Sequence, residues 1–297
     1  MSDAAILVRG LRKVYGDTTA VDGIDLEVQR GEIFALLGPN GAGKTTTVEI
    51  LEGYRRRDGG EVAVLGVDPA VANGGRGTRT DGEARRWRER IGIVLQGTGE
   101  FDELTVGEVV RHFAWFYPSP DDPARVIERV GLTAKDGART HTLSGGQKRR
   151  LDVALGIIGR PELLFLDEPT TGFDPEARRE FWALIRDLQA GGTTILLTTH
   201  YLEEAEALAD RVGVITRGQL IAVDTPRLLG SRDSALATVS WRTPEGAWER
   251  TQSATPTAVV SDLSARFDGE VPGLTVTRPT LEDVYLQMIG AGGEERA

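Results

Sequence analysis

The feature that most limits what this chain can fold into is a run of five apolar residues, Ile33–Leu37, that passes directly into a glycine-rich turn, Gly38-Pro39-Asn40-Gly41-Ala42-Gly43-Lys44-Thr45-Thr46. Apolar residues without alternation predict a strand buried on both faces, the kind found in parallel sheets covered by helices. After the turn, the pattern from Thr45 to Glu52 predicts a helix. A strand, a glycine loop and a helix start, with Lys-Thr at the junction, is the context in which this spacing holds phosphate. Glycines let backbone N–H groups wrap the anion, and the helix N-terminus adds its positive dipole. Lys44 then reaches the β- and γ-phosphates, and Thr45 offers its hydroxyl to Mg2+.

Two more apolar strands follow. Leu163–Leu166 runs into Asp167-Glu168-Pro169, and residues 193–199 end at His200. Alternation with helices predicted over 176–190 and 201–209 implies an α/β core with a largely parallel sheet. Acids at the end of a buried strand lie at the sheet edge where such folds bind ligands. Alone, Asp-Glu-Pro would read as a solvated turn. Beside a phosphate loop it suggests divided labour, with Asp167 in the Mg2+ shell and Glu168 polarising a water for attack on the γ-phosphate. A third motif, Leu143-Ser144-Gly145-Gly146-Gln147, places a capping Ser before a helix predicted to continue through Ile158, and its glycines bare the first amides. One chain thus has two anion-binding helix starts but one set of strand-end acids, which fits two copies sharing two nucleotides reciprocally.

Composition narrows the chemistry further. The absence of Cys excludes disulfides, thiolate metal sites and Cys nucleophiles, and the three His are too dispersed for a helical metal pair. Any metal must sit on oxygen ligands. The net charge is −10, and only four of the 35 basic residues are lysines. Arg55–Arg57 and the arginines from Arg76 to Arg90 read as solvated faces, so no nucleic acid is expected as partner. No window approaches the ~18–20 apolar residues of a membrane span. The N-terminus lacks the basic start and apolar block of a secretory signal, so synthesis is expected to end in the cytoplasm.

The order GPNGAGKTT, Gln96, LSGGQ, LLFLDEP, GFDP and His200, spread over roughly Ile6 to Val223, resembles the nucleotide-binding subunit of an ATP-binding cassette (ABC) transporter. The resemblance implies a P-loop NTPase core with a mainly parallel sheet, an antiparallel β subdomain and a helical subdomain at about 97–158. It implies ATP and Mg2+ as cofactors, with Glu168, His200 and Gln96 catalytic and Thr45, Gln96 and Asp167 around the metal. Tyr15 matches the aromatic that stacks on adenine, and Gly38 to Thr46 the phosphate loop. Ser144, Gly145, Gly146 and Gln147 would act on the nucleotide held by a second copy of the chain. Asp174 matches a loop that crosses that dimer interface, although Phe173 stands where Leu is commoner; from composition alone Asp174 reads as a helix cap before Pro175.

The ending GLTVTRPTLEDVYLQMIG is similar to that of ATPase subunits in two-component exporters of the ABC-2, daunorubicin-resistance-like type. That implies a separate polytopic membrane permease, a peripheral position at the cytoplasmic face of the cell membrane, and export of a drug-like or lipophilic substrate. Two other readings are open. A soluble ABC ATPase acting on the ribosome or nucleic acid would resemble tandem cassettes or carry long coiled coils, whereas this chain has one phosphate loop and no sustained heptads before LSGGQ. A regulatory binding module would not need an intact Glu168.

The domain pattern expected is an ATPase domain over 1–225, a small accessory α+β domain over 226–290 and a disordered tail over 291–297. In the accessory domain, strands are expected at Leu236–Trp241 and Gly273–Thr277 and a helix at Val259–Phe267. The stretch Asn73–Asp81, rich in Gly, Arg and Thr, reads as a flexible surface insertion.

Overall fold

A computed structural model describes residues 4–72, 81–94, 101–231 and 235–294. Two compact units divide at Val223 and Asp224.

The first unit opens with two long antiparallel strands, β1 (Ala4–Tyr15) and β2 (Thr18–Gln29), and β3 (Ile33–Leu37) leads to α1 (Lys44–Leu51). Then come β4 (Gly59–Val64), α2 (Pro69–Ala72), α3 (Asp81–Arg88) and β5 (Ile91–Val94). Three helices follow, α4 (Val106–Ala114), α5 (Pro123–Arg129) and α6 (Gly145–Ile157). The chain returns to the sheet through β6 (Leu163–Asp167), α7 (Pro175–Ala190), β7 (Thr194–Thr199), α8 (Leu202–Leu208), β8 (Arg211–Thr216) and β9 (Gln219–Asp224).

The main sheet has the order β5-β6-β7-β3-β8-β9, and a second sheet has the order β2-β1-β4. From β5 to β8 every pairing is parallel, and the pairs of the second sheet are antiparallel. All five residues of β3 are buried, and so are all six of β7, as expected of central strands covered on both faces. Burying each Ile, Leu or Phe of β3 is worth about 1.5–3 kcal/mol. One continuous core joins both sheets, with Ile6, Val8 and Leu26 from the antiparallel sheet beside Phe34, Leu36 and Phe165. Gly38 therefore leaves the middle of the sheet, between β7 and β8.

The second unit pairs β10 (Ala237–Arg242) with β11 (Trp248–Ser253) and β12 (Thr275–Thr277) and includes α9 (Pro256–Arg266) and α10 (Leu281–Glu294). It has its own small core of Val239, Trp241, Leu263 and Val271. Two sequence expectations need correction. The helix α10 continues to Glu294, where disorder was expected from 291. Its start is anchored by the buried Leu281 and Val284, and adding turns to a helix already nucleated is cheap. Asp81, assigned to a surface insertion, begins α3, while residues 73–80 of that stretch lie outside the described residues.

Candidate nucleotide site

The loop after β3 is shaped by positions that only Gly fits. Gly43 has φ 104, and a Cβ there would meet the carbonyl oxygen of Ala20; one on Gly38 would clash with that of Ile215. The loop closes on itself through Ala42 N–H donating to Pro39 O at 3.2 Å, and Thr47 N–H donating to Gly43 O at 2.9 Å. It is also tied to the hairpin between β8 and β9, where Gly218 N–H donates to Ala42 O at 2.9 Å and Gly218 O accepts from Asp22 N–H of β2 at 2.8 Å. Arg217 and Gly218 both have positive φ, 50 and 77, the two-residue turn that joins antiparallel neighbours.

A cavity of about 300 Å³ opens over this loop, lined by Ala20, Asn40, Gly41, Lys44, Thr45 and Glu168 among others. Lys44 is buried, and its Nζ donates to Gly38 O at 2.8 Å and Pro39 O at 3.2 Å and lies 3.7 Å from Glu168 Oε1. Burial lowers the Lys44 pKa, and the charges of Glu168 and Asp167 oppose that shift. The cavity therefore offers a polyphosphate a cation, bared amides and a helix N-terminus together.

At the end of β6 the two acids part. Asp167 Oδ1 accepts from Thr198 Oγ1 at 2.5 Å, which fixes its carboxylate against β7. Glu168 turns toward the loop because its backbone is left-handed, with φ 41. Its Oε1 lies 3.2 Å from His200 Nδ1, in a geometry too poor for a hydrogen bond. Lys44, Glu168 and His200 thus meet at one carboxylate oxygen, and Asp167 and Thr45 present oxygen donors nearby. Hard oxygen donors in small number suit Mg2+, which completes its shell with phosphate oxygens and water. Among the described residues no group of three or more His, Cys, Asp or Glu could hold a metal by itself.

The other expected residues distribute as follows. Tyr15 stands at the end of β1, 39% exposed, with Lys13 Nζ 5.2 Å and the Arg55 guanidinium 5.3 Å from its ring centre. Ser144 caps α6: its Oγ accepts from Gln147 N–H at 3.3 Å, and Gln147 Oε1 accepts from Ser144 N–H at 3.1 Å. This reciprocal box was not anticipated for Gln147, although Ser-x-x-Gln is its signature. A second cavity of about 310 Å³ is lined there by Ser144, Gly146, Gln147, Arg150 and Glu180 among others, and Arg150 pairs with Glu180. Asp174 Oδ1 accepts from Glu176 N–H at 3.0 Å and Ala177 N–H at 2.9 Å, so it caps α7. Gln96 lies outside the described residues.

Two further groups escaped sequence reasoning. Arg149, buried on α6, donates from Nη2 to Asp167 O at 2.7 Å and from Nε to Pro169 O at 3.1 Å, gripping the main chain on both sides of Glu168. No spacing rule singles it out in Lys148-Arg149-Arg150, because only the phase of α6 against β6 turns it inward. The second is a cleft of about 440 Å³ lined by Glu52, Tyr54, Ile93, Phe113, Tyr117 and Asp152 among others. Near it Tyr54, Trp115 and Phe116 are 79%, 84% and 59% exposed.

Comparison with known proteins agrees with this geometry. Residues 21–171 match the family model described as ABC transporter. The chain is 38% identical to the daunorubicin resistance ATP-binding protein DrrA3 of Streptomyces coeruleorubidus, over 98% of this chain and 97% of that one. It is 37% identical to the Nod factor export ATP-binding protein I of Burkholderia pseudomallei (strain 1710b), over 98% of each. Among solved structures, cbiO1 from Clostridium perfringens, part of the ABC transporter complex cbiONQ, superposes with TM-score 0.68 at 29% identity, over 78% of this chain and 92% of that chain. A buried parallel sheet that delivers a phosphate loop, two strand-end acids and a capped Ser-Gly-Gly-Gln helix, in a sequence so similar along its length, belongs to the ABC transporter family, as an ATP-binding and ATP-hydrolysing cassette.

Proposed function

We propose that two copies of this chain close around two ATP·Mg2+, each phosphate loop facing the partner copy's Ser144–Gln147, and that closure and hydrolysis drive export through a separate polytopic membrane permease. The observation that carries the reading is the unequal equipment of the two cavities. Over the phosphate loop lie Lys44, Glu168 and His200. At Ser144–Gln147 lie a helix N-terminus and an already paired Arg150, suited to touch a phosphate but not to activate water. Each cavity is half of a site, and a two-fold pair of chains completes both.

In the closed pair Glu168 polarises the attacking water and His200 holds the γ-phosphate side of the same centre; Gln96 is assigned a role toward the metal and the water by its place in the order of motifs alone. Thr45 and Asp167 would hold Mg2+, which neutralises charge on the phosphate oxygens when bound. Tyr15 stacks on adenine, and Asp174 meets the opposite copy while capping α7. ATP favours closure by as much as its affinity for the closed pair exceeds that for the open one.

The permease is proposed to seat on the cleft bounded by Tyr54, Phe113 and Tyr117, where large exposed aromatics are grouped as at interaction sites. Among the described residues no helix is long and apolar enough to cross a membrane. The membrane path is proposed to belong to the permease, with this chain seated peripherally on the cytoplasmic face. The names of the relatives favour a drug-like or lipophilic cargo.

The test is to express tagged Glu168→Gln protein in its own host, solubilise membranes gently with ATP present, and identify what co-purifies. A stoichiometric multi-span protein is expected, together with an ATP-dependent dimer. Ribosomes or nucleic acid in its place, or equal dimerisation with and without ATP, would overturn the reading.

A further inference from the structure

Glu168 has φ 41, a backbone conformation that L side chains rarely adopt, so the turn that carries it must be held from outside. Two holds are described above, Thr198 from β7 and Arg149 from α6. A third comes from α8. Glu204 is fully buried, and its Oε1 accepts from Thr170 Oγ1 at 2.9 Å; Thr170 is fully buried too, two residues beyond Glu168. Thr170 O in turn accepts from Phe173 N–H at 3.1 Å, next to the Asp174 cap. Glu204 stands four residues after His200. One carboxylate therefore connects the helix that follows His200 with the turn that carries Glu168.

The way Glu204 is buried is wasteful for stability alone. Its Oε2 has no geometrically sound hydrogen bond, and neither has the buried Trp182 Nε1. Burial pushes the carboxyl pKa up, against the opposing influence of Thr199, Thr170, Trp182 and Arg178. Replacing both members of a buried polar pair by apolar side chains of similar volume costs little or no stability, whereas removing one member alone leaves the other buried and unsatisfied.

We infer that Glu204 is a positioning residue for ATP hydrolysis: through Thr170 it holds the Glu168–Thr170 turn in the conformation that aims Glu168 at the phosphate cavity beside His200. The inference rests on the reading of Glu168 as the group that activates water. Positioning acts on the reacting geometry and not on nucleotide affinity, because neither Glu204 nor Thr170 lines the cavity over the phosphate loop.

The experiment measures phosphate release by the full-length protein across ATP concentrations at saturating Mg2+, alongside thermal unfolding, for the wild type, Glu168→Gln, Thr170→Val, Thr170→Ser, Glu204→Met and the double variant Thr170→Val/Glu204→Met. Thr170→Val and Glu204→Met are each expected to lower kcat about tenfold or more, with KM changed by less than about twofold. Thr170→Ser, which keeps the hydroxyl, recovers most of the rate lost in Thr170→Val. In the double variant both partners become apolar, so the unfolding temperature returns to or above that of the wild type while kcat stays low. If kcat recovers together with stability in the double variant, or if KM rises while kcat holds, Glu204 is a packing residue and the inference falls. Should either single variant fail to fold, the double variant still decides. Normal turnover by Glu168→Gln would instead remove the reading on which the inference stands, so the two failures are distinguishable.

Discussion

At the scale of single residues, charge and burial set what each group can do. Lys44 is held among Gly38 O, Pro39 O and Glu168, and its depressed pKa marks a cation buried at a cost that a polyphosphate offsets. Lys44→Ala is expected to weaken ATP binding at least about tenfold, read by titration calorimetry, because a charge-assisted contact of roughly 1.5–3 kcal/mol is lost. Glu52 behaves differently: burial, with the charges of Asp167 and Glu49, pushes its pKa from 4.5 to about 8. The folded chain thus holds a proton there that the unfolded chain releases near pH 4.5. Its contribution to stability is present in full below that pH and is lost as pH rises toward 8, by about 1.4 kcal/mol per pH unit at most. Glu52→Gln should flatten the fall in unfolding free energy between pH 5 and pH 8 in the nucleotide-free protein. An unchanged slope in urea titrations at several pH values would exclude this account.

At the scale of elements, caps and handoffs between strands decide where side chains point. The helix α6 begins on a reciprocal Ser144 and Gln147 box, so Ser144→Ala is expected to cost about 1 kcal/mol of stability, measured by denaturant unfolding, besides its effect on turnover. Local spacing carried much of this in the sequence. The unalternating apolar run of β3, the glycines after it and the Ser-x-x-Gln start of α6 are each legible within one short stretch of chain. The inward Arg149, the Thr198 bond to Asp167 and the Glu204 bond to Thr170 join residues 18 to 34 apart in the chain. Which of three adjacent basic residues faces β6, or which Thr of β7 meets an acid, depends on helix phase and strand register. Those are tertiary facts. The end of α10 was missed for a related reason, since its anchoring residues lie ten and seven positions before 291, at Leu281 and Val284.

At the scale of the whole molecule, each of the two units has a core of its own, around Phe34, Leu36 and Phe165 in one and around Val239 and Trp241 in the other. Calorimetry is expected to resolve two unfolding transitions. ATP with Mg2+ should raise the one belonging to the first unit, by RT ln(1 + [L]/Kd), or about 2.7 kcal/mol at one hundred times Kd. A single transition that moves as a whole with ATP would show that the units unfold together. Within the first unit, Gly218 bridges the phosphate loop at Ala42 to β2 at Asp22, and β2 pairs with the strand that ends in Tyr15. A Cβ on Gly218 would come within 2.9 Å of Ala20 O. The bridge makes the end of β1 at Tyr15 and the phosphate loop two marks on one ruler, their separation set by backbone and not by flexible side chains; under the proposed stacking of adenine on Tyr15, that fixed span gauges the length of a nucleotide before any chemistry begins.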